Sequence, residues 1–212
     1  MCNKIHRQLK EAGPANWPLK IRGHYEEPHL ANKLGRTLAE YLLSEDPAGL
    51  RPLVIVAIGT DRSTGDSLGP LVGTKLQQMN METNVFGTLE QPVHAVNLEE
   101  TLESICSQYS NPLVIAVDAC LGRTESVGYI TLARGTLQPG AGVNKSLPGV
   151  GNVHFTGIVN IGGYMEYFVL QNTRLHLVWK MSDIIASAVY QGFLLFRYQL
   201  KKKEESLPSC LQ

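Results

Sequence analysis

Two short runs set the terms on which this chain can fold. Leu53, Val54, Ile55, Val56, Ala57 and Ile58 follow one another without a polar interruption, and sixty residues later Leu113, Val114, Ile115, Ala116 and Val117 do the same. A strand with one wet face alternates apolar and polar residues, whereas one that is apolar at every position is covered on both faces. Runs this short and this rich in β-branched residues are strands rather than buried helices. The intervening chain supplies the covering helices. Residues 66–79 place Leu68, Leu71, Val72 and Leu76 on one side, and residues 98–109 do so with Leu102, Ile105 and Cys106. The alternation of strand and helix predicts a three-layer α/β/α sandwich with a largely parallel central sheet.

The remaining segments fit around that unit. Residues 1–27, with Pro14 and Pro18, read as an irregular N-terminal arm. From Pro28 the recurrence of Leu30, Leu34, Leu38 and Leu42 predicts a helix, closed by Pro47 and Gly49. Residues 93–96 read as a short strand, 127–133 and 155–161 as longer ones, 163–171 as a short helix and 175–179 as another strand. Asp183 then caps a long apolar helix to about residue 199. Residues 136–152 form a long loop rich in glycine and proline, of the kind that carries function. The expected organisation is the arm, a single α/β domain over 28–205 and a tail over 206–212.

Composition narrows the partners. Nineteen basic residues balance nineteen acidic ones, so no global field draws a polyanion and nucleic acid is not an expected partner. The run Lys201-Lys202-Lys203 sits where cations complement the end of a helix dipole. Cys2, Cys106, Cys120 and Cys210 are scattered without a C-x-x-C pair, which indicates neither a zinc site nor a disulfide framework. No apolar run reaches membrane-spanning length and no leader-like segment opens the chain, so a cytoplasmic protein is expected. A homo-oligomer is left open.

In an open α/β sheet, ligands collect beyond the carboxyl ends of the strands. The first run is followed by Gly59-Thr60-Asp61-Arg62-Ser63-Thr64-Gly65-Asp66-Ser67-Leu68-Gly69-Pro70, and the second by Asp118-Ala119-Cys120. Asp66 can serve as a helix N-cap. Asp118, delivered by five apolar residues, needs a partner because an unpaired buried charge is costly. The loop lacks both G-x-G-x-x-G and G-x-x-x-x-G-K-[ST], and a carboxylate at Asp66 repels phosphate from that helix start. No serine stands in a G-x-S-x-G elbow. Cys120, two residues past Asp118, reads as structural because a neighbouring negative charge raises its pKa. His154 can turn toward the crevice, and a histidine with two carboxylates is a divalent-metal set, but a thin one. Neither a metal nor a cofactor is expected. His6, His24, His29, His94 and His176 form no arrangement.

The motifs Gly65-Asp66-Ser67-Leu68-Gly69-Pro70 and Asp118-Ala119-Cys120-Leu121, with the loop Pro139-Gly140-Ala141-Gly142-Val143-Asn144-Lys145, resemble those of the germination protease family of spore-forming bacteria. The likeness runs from about residue 53 to about residue 160. It implies the phosphorylase/hydrolase-like sandwich shared with hydrogenase maturation endopeptidases, whose acidic-Asp-His set is mirrored by Asp66, Asp118 and His154. It also implies that Asp66 and Asp118 are the catalytic pair and that the substrate is a peptide or small protein, with small acid-soluble spore proteins as its class. Gly65, Gly69, Gly140, Asn144, Lys145 and His154 are the expected substrate contacts, Lys145 being the charged one on the loop. The chain is shorter than the germination protease and has no counterpart of its removable pro-segment, so autoactivation is not implied.

Two carboxyl groups hydrolyse a peptide when one, ionised, activates water while the other, protonated, polarises the carbonyl or protonates the leaving nitrogen. Such a pair titrates as a unit, and the sequence does not say which member holds the proton. Three readings follow: an aspartate-dependent peptidase of the sporulating cell, a catalytically silent relative that binds a peptide or protein, and a metal-dependent maturation-type endopeptidase using His154.

Overall fold

The computed structural model describes residues 19–81, 83–139 and 147–206. Its strands are β1 (Lys20–His24), β2 (Leu53–Ala57), β3 (Asn84–Phe86), β4 (Leu113–Gly122), β5 (Tyr129–Arg134) and β6 (Val153–Ile161). Its helices are α1 (Leu30–Glu45), α2 (Leu68–Gln78), α3 (Leu98–Gln108), α4 (Glu166–Gln171) and α5 (Leu175–Ser206). The strands form one sheet in the order β1-β5-β6-β4-β2-β3. β3, β2, β4 and β6 are mutually parallel, and β5 runs antiparallel to both β6 and β1.

The apolar runs lie where full burial requires. β2 and β4 pair in parallel from Leu53↔Leu113 to Ala57↔Val117, at the middle of the sheet. Their odd-numbered residues, with Ile130 and Leu132 of β5 and Val153 and Phe155 of β6, join α1, α2 and α5 in the larger core. Val54, Val56 and Ala116 point the other way, toward Leu98 and Ile105 of α3 and toward Leu137 and Val150. These are the three layers of an α/β/α sandwich. α1 and α5 approach closely through small residues: a Cβ on Gly35 would stand 3.0 Å from the Ala188 carbonyl oxygen, and one on Gly192 would stand 2.9 Å from that of Gly35.

The path of the chain reverses direction at the middle of the sheet. From β2 it crosses through α2 on one face to β3, then returns through α3 on the other face to β4, on the far side of β2. Reversal of direction between two adjacent parallel strands parts the connections at their carboxyl ends, which is where α/β folds bind ligands.

Four expectations are corrected. The segment taken as an irregular arm contributes β1, which pairs with β5; its alternation tucks Gly23 against Leu30 and turns Arg22 outward. Residues 93–96 are not a strand. Val93 makes one bridge to Ile58, and the His94 carbonyl then accepts the Leu98 N–H, bending the chain directly into α3. The edge strand is instead Asn84–Phe86, too short to leave a pattern. Residues 175–179 open α5, whose buried Val178, Met181, Ile185, Val189, Gly192 and Phe196 keep helical spacing. Asp183 therefore lies within that helix, where its Oδ1 accepts a 2.6 Å hydrogen bond from Lys75 Nζ. Finally, β4 does not end at Val117, because β6 continues to pair with it to Gly122, with an irregularity between Cys120 and Leu121.

Candidate functional site

Past Val117, among the described residues, β4 is paired with a strand on one flank alone. The Val117 carbonyl accepts the Ile58 N–H at 2.7 Å, and β2 then leaves the sheet. Gly59 makes the exit possible. Its φ is +149°, and a Cβ there would lie 2.0 Å from the Asp66 carbonyl oxygen. The loop closes through Thr60 N–H donating to that same carbonyl at 3.1 Å, and a single 3-10 turn over Gly65–Ser67 leads into α2. Asp66 is carried on that turn, beside the emerging Asp118 of β4. No side-chain capping hydrogen bond forms at the start of the turn or of α2, so the N-cap alternative is not realised.

The turn that carries Asp66 packs against β4, and the charge of Asp66 is felt at Asp118, so the two carboxyl groups are neighbours. Asp118 retains partial surface exposure, yet its carboxyl group is enclosed by protein. That burial pushes it up to about 8; the Ala119 N–H, donating to Oδ1 at 2.9 Å, opposes the rise, and the charge of Asp66 adds to it. Asp66 is raised as well, by burial, with the Ser63 hydroxyl favouring its ionised form. Ser63 Oγ is buried and meets no partner at full hydrogen-bonding geometry among the described residues. At neutral pH the pair therefore holds a proton, and Asp118 is the member more strongly driven to keep it. Cys120 is pushed up to about 11, by burial first and by Asp118 second, with Arg22 pulling the other way. The direction is the one expected of an unreactive thiol.

Gly65 and Gly69 both lie at close approaches. A Cβ on Gly69 would come within 2.1 Å of the Ile58 carbonyl oxygen, so its absence lets α2 start against the end of β2. A Cβ on Gly65 would meet Leu170 of α4 at 2.6 Å. His154 lies inside β6, opposite Ala116 and so on the same face as Asp118 but about 7 Å back along the strand. Its Nδ1 is 2.9 Å from the Gly135 carbonyl oxygen. Among the described residues no three His, Cys, Asp or Glu side chains are arranged to hold a metal ion. The set Asp66, Asp118 and His154 does not meet that requirement. Gly140, Asn144 and Lys145 lie outside the described residues. The stems of their loop are placed: Leu137 and Val150 exchange two 2.8 Å backbone hydrogen bonds and pack with Ala116, on the face that carries Asp118.

Sequence reasoning passed over Arg22, Thr131 and Thr156. They share one row with Asp118, through Asp118↔Thr156, Thr156↔Thr131 and Thr131↔Arg22. The alternation over 127–133 carries this signal for Thr131, whereas the stretch bearing Arg22 reads from sequence as part of the irregular arm. Two surface hollows lie elsewhere, around the amino-terminal ends of β2 and β3. One is lined by Gln77, Met81 and Phe86 and the other by Arg51, Phe193 and Arg197. Neither reaches the carboxylates. No helix among the described residues is long and apolar enough to cross a membrane.

Known proteins resemble this chain in sequence and in structure. A protein of Bacillus subtilis (strain 168), described as "Uncharacterized protein YyaC", is 59% identical over 140 residues, which span 66% of this chain and 68% of that protein. The crystal structure of a NiFe hydrogenase maturation protease, HycI from Thermococcus kodakarensis KOD1, aligns with a TM-score of 0.45 and 18% identity, covering 72% of this chain and 97% of that one. A family model described as "Protein of unknown function (DUF1256)" matches residues 22–188, and the chain belongs to that family.

Proposed function

We propose that the protein hydrolyses a peptide bond in an extended peptide or protein substrate, with Asp118 as the protonated acid and Asp66 as the base that activates water. The observation that carries this reading is the meeting of two electrostatically coupled carboxyl groups at the reversal point of the sheet, one of them driven to retain its proton at neutral pH. In the reaction Asp66 draws a proton from water as it attacks the carbonyl carbon, and Asp118 donates its proton to the departing nitrogen. The likeness of the two Asp motifs to those of the germination protease family supports the same pairing and names small acid-soluble spore proteins as the substrate class. On this reading Gly65, Gly69 and His154, with Gly140, Asn144 and Lys145 of the loop, line the path of the substrate.

A second reading has an observation of its own. The enclosure of the Asp118 carboxyl group favours a relative that binds a peptide in the crevice without cleaving it. One experiment separates the two. Wild type, Asp66→Asn and Asp118→Asn are incubated with small acid-soluble spore proteins from about pH 5 to about pH 9, with and without divalent cations, and fragments are followed by mass spectrometry. Cleavage by the wild type alone, with all three proteins folded, is the expected result. Intact substrate under every condition removes the peptidase reading for that class, and retained binding by the wild type then establishes the second. Cleavage that requires the cation would instead restore the maturation-type reading.

A further inference from the structure

Among the described residues, the face of the sheet that carries Asp118 continues past it with little cover. On the opposite face, Val117, Phe155, Ile130 and Ile21 face the core under α1, α2 and α5. Register then places Asp118, Thr156, Thr131 and Arg22 together on the other face, and α3 packs only against the β2 and β4 part of it. The row ends in an exposed arginine. Its guanidinium carbon lies 3.9 Å from the centroid of the Tyr129 ring, which holds it over that face, and among the described residues its N–H groups donate no hydrogen bond. Arg22 makes no ion pair among the described residues, whereas Arg134, at the end of neighbouring β5, is paired with Glu45 at 2.9 Å. Its stacking partner Tyr129 belongs to β5, the next strand inward, so the guanidinium leans over the sheet toward β6 and β4.

Resting on the peptide-hydrolase reading, we propose that Arg22 is a specificity-determining residue that takes the carboxylate of an acidic side chain on the substrate. Three strand spacings of about 4.8 Å separate the Arg22 and Asp118 backbones, about 14 Å in all, and the inward lean of the guanidinium shortens that span. An extended peptide advances about 3.3 Å per residue, so the acidic residue stands about three to four positions from the scissile bond. Thr131 and Thr156 offer hydroxyls to the peptide backbone between. A guanidinium stacked on an aromatic face binds carboxylate in bidentate fashion, which lysine cannot reproduce.

The probe is a library of synthetic peptides of about twelve residues, varied at every position. It is presented to the full chain, to Arg22→Gln, to Arg22→Glu and to Arg36→Gln, a control that removes an exposed arginine of α1 on the other side of the molecule. Cleavage sites are read by mass spectrometry, and capture of the same library by Asp118→Asn, alone and combined with each Arg22 variant, is read in parallel. The wild type and Arg36→Gln should favour glutamate or aspartate at one fixed distance from the cleaved bond by about tenfold or more. In Arg22→Gln that preference should vanish, with the loss in KM, and in Arg22→Glu it should turn to lysine or arginine, a reversal that a merely structural arginine would not give. Unchanged acidic preference in Arg22→Gln overturns the proposal while leaving the peptidase reading intact. If nothing is cleaved, the peptidase reading fails and the capture profile decides for Arg22 alone: an acidic preference lost with Arg22 upholds its role, and no such preference ends it.

Discussion

Asp118 links the chemistry of the crevice to the stability of the fold. Its carboxyl group titrates near 8 in the native protein, whereas in an unfolded chain an aspartate titrates near 3.9. A raised carboxylate pKa means that the unfolded state loses its proton first. The stabilisation is complete below about pH 4, falls as pH rises toward 8 and is constant beyond it. The loss is at most about 6 kcal/mol, reduced by the solvent contact the residue retains. Asp118→Asn removes the titration and can still accept the Ala119 N–H. Its urea midpoint should therefore equal that of the wild type near pH 4 and exceed it above pH 8, with curves that diverge in between; parallel curves would contradict the assignment. Peptide cleavage by the wild type should likewise fall as pH passes about 8 and Asp118 loses its proton. Both aspartates stand out in the sequence because each follows an apolar run, Asp118 directly and Asp66 through a glycine-containing loop, although β4 then continues past Asp118 to Gly122. His154 was legible as a residue but not in its placement, since its bond to the Gly135 carbonyl depends on the pairing of β5 with β6.

At the scale of elements, the crevice depends on how closely α2 can start against β2. Gly69→Ala sets a methyl group against the backbone of Ile58, which cannot yield without moving the strand. Gly157→Ala sets one against the side-chain tips of Leu68 and Met181, which can turn aside. The first substitution should cost about 3 kcal/mol or more and the second about 1 to 2 kcal/mol, measured by chemical denaturation. Equal costs would mean that the helix start is less tightly held than its geometry implies. The central strands were readable because burial on both faces leaves no polar position. β3 was not, because an edge of three residues buries too little to constrain its sequence. The start of α5 was misread for a different reason: Leu175, His176 and Leu177 alternate by chance, and the helical period emerges only when Val178, Met181 and Ile185 are taken together.

For the molecule as a whole, β1 decides where the sheet ends. A chain beginning at Pro28 would leave β5 as a bare edge and uncover Leu30 and Ile130, so it should melt about 5 to 10 °C lower than one beginning at Leu19 and should associate more readily. Equal melting temperatures would reduce β1 to an ornament of the fold. The sequence could not announce this strand, because its partner β5 lies more than a hundred residues away and only tertiary pairing gives it a purpose. The same separation bears on synthesis. β1 leaves the ribosome well before β5 and waits for it, while the apolar face of α1 waits still longer for α5. At about 5–20 residues per second these surfaces stay uncovered for many seconds. Premature termination before α5 would leave Leu34, Leu38 and Leu42 exposed, which makes the unfinished polypeptide a natural client for chaperones and the emergence of α5 the step that commits it to the native state.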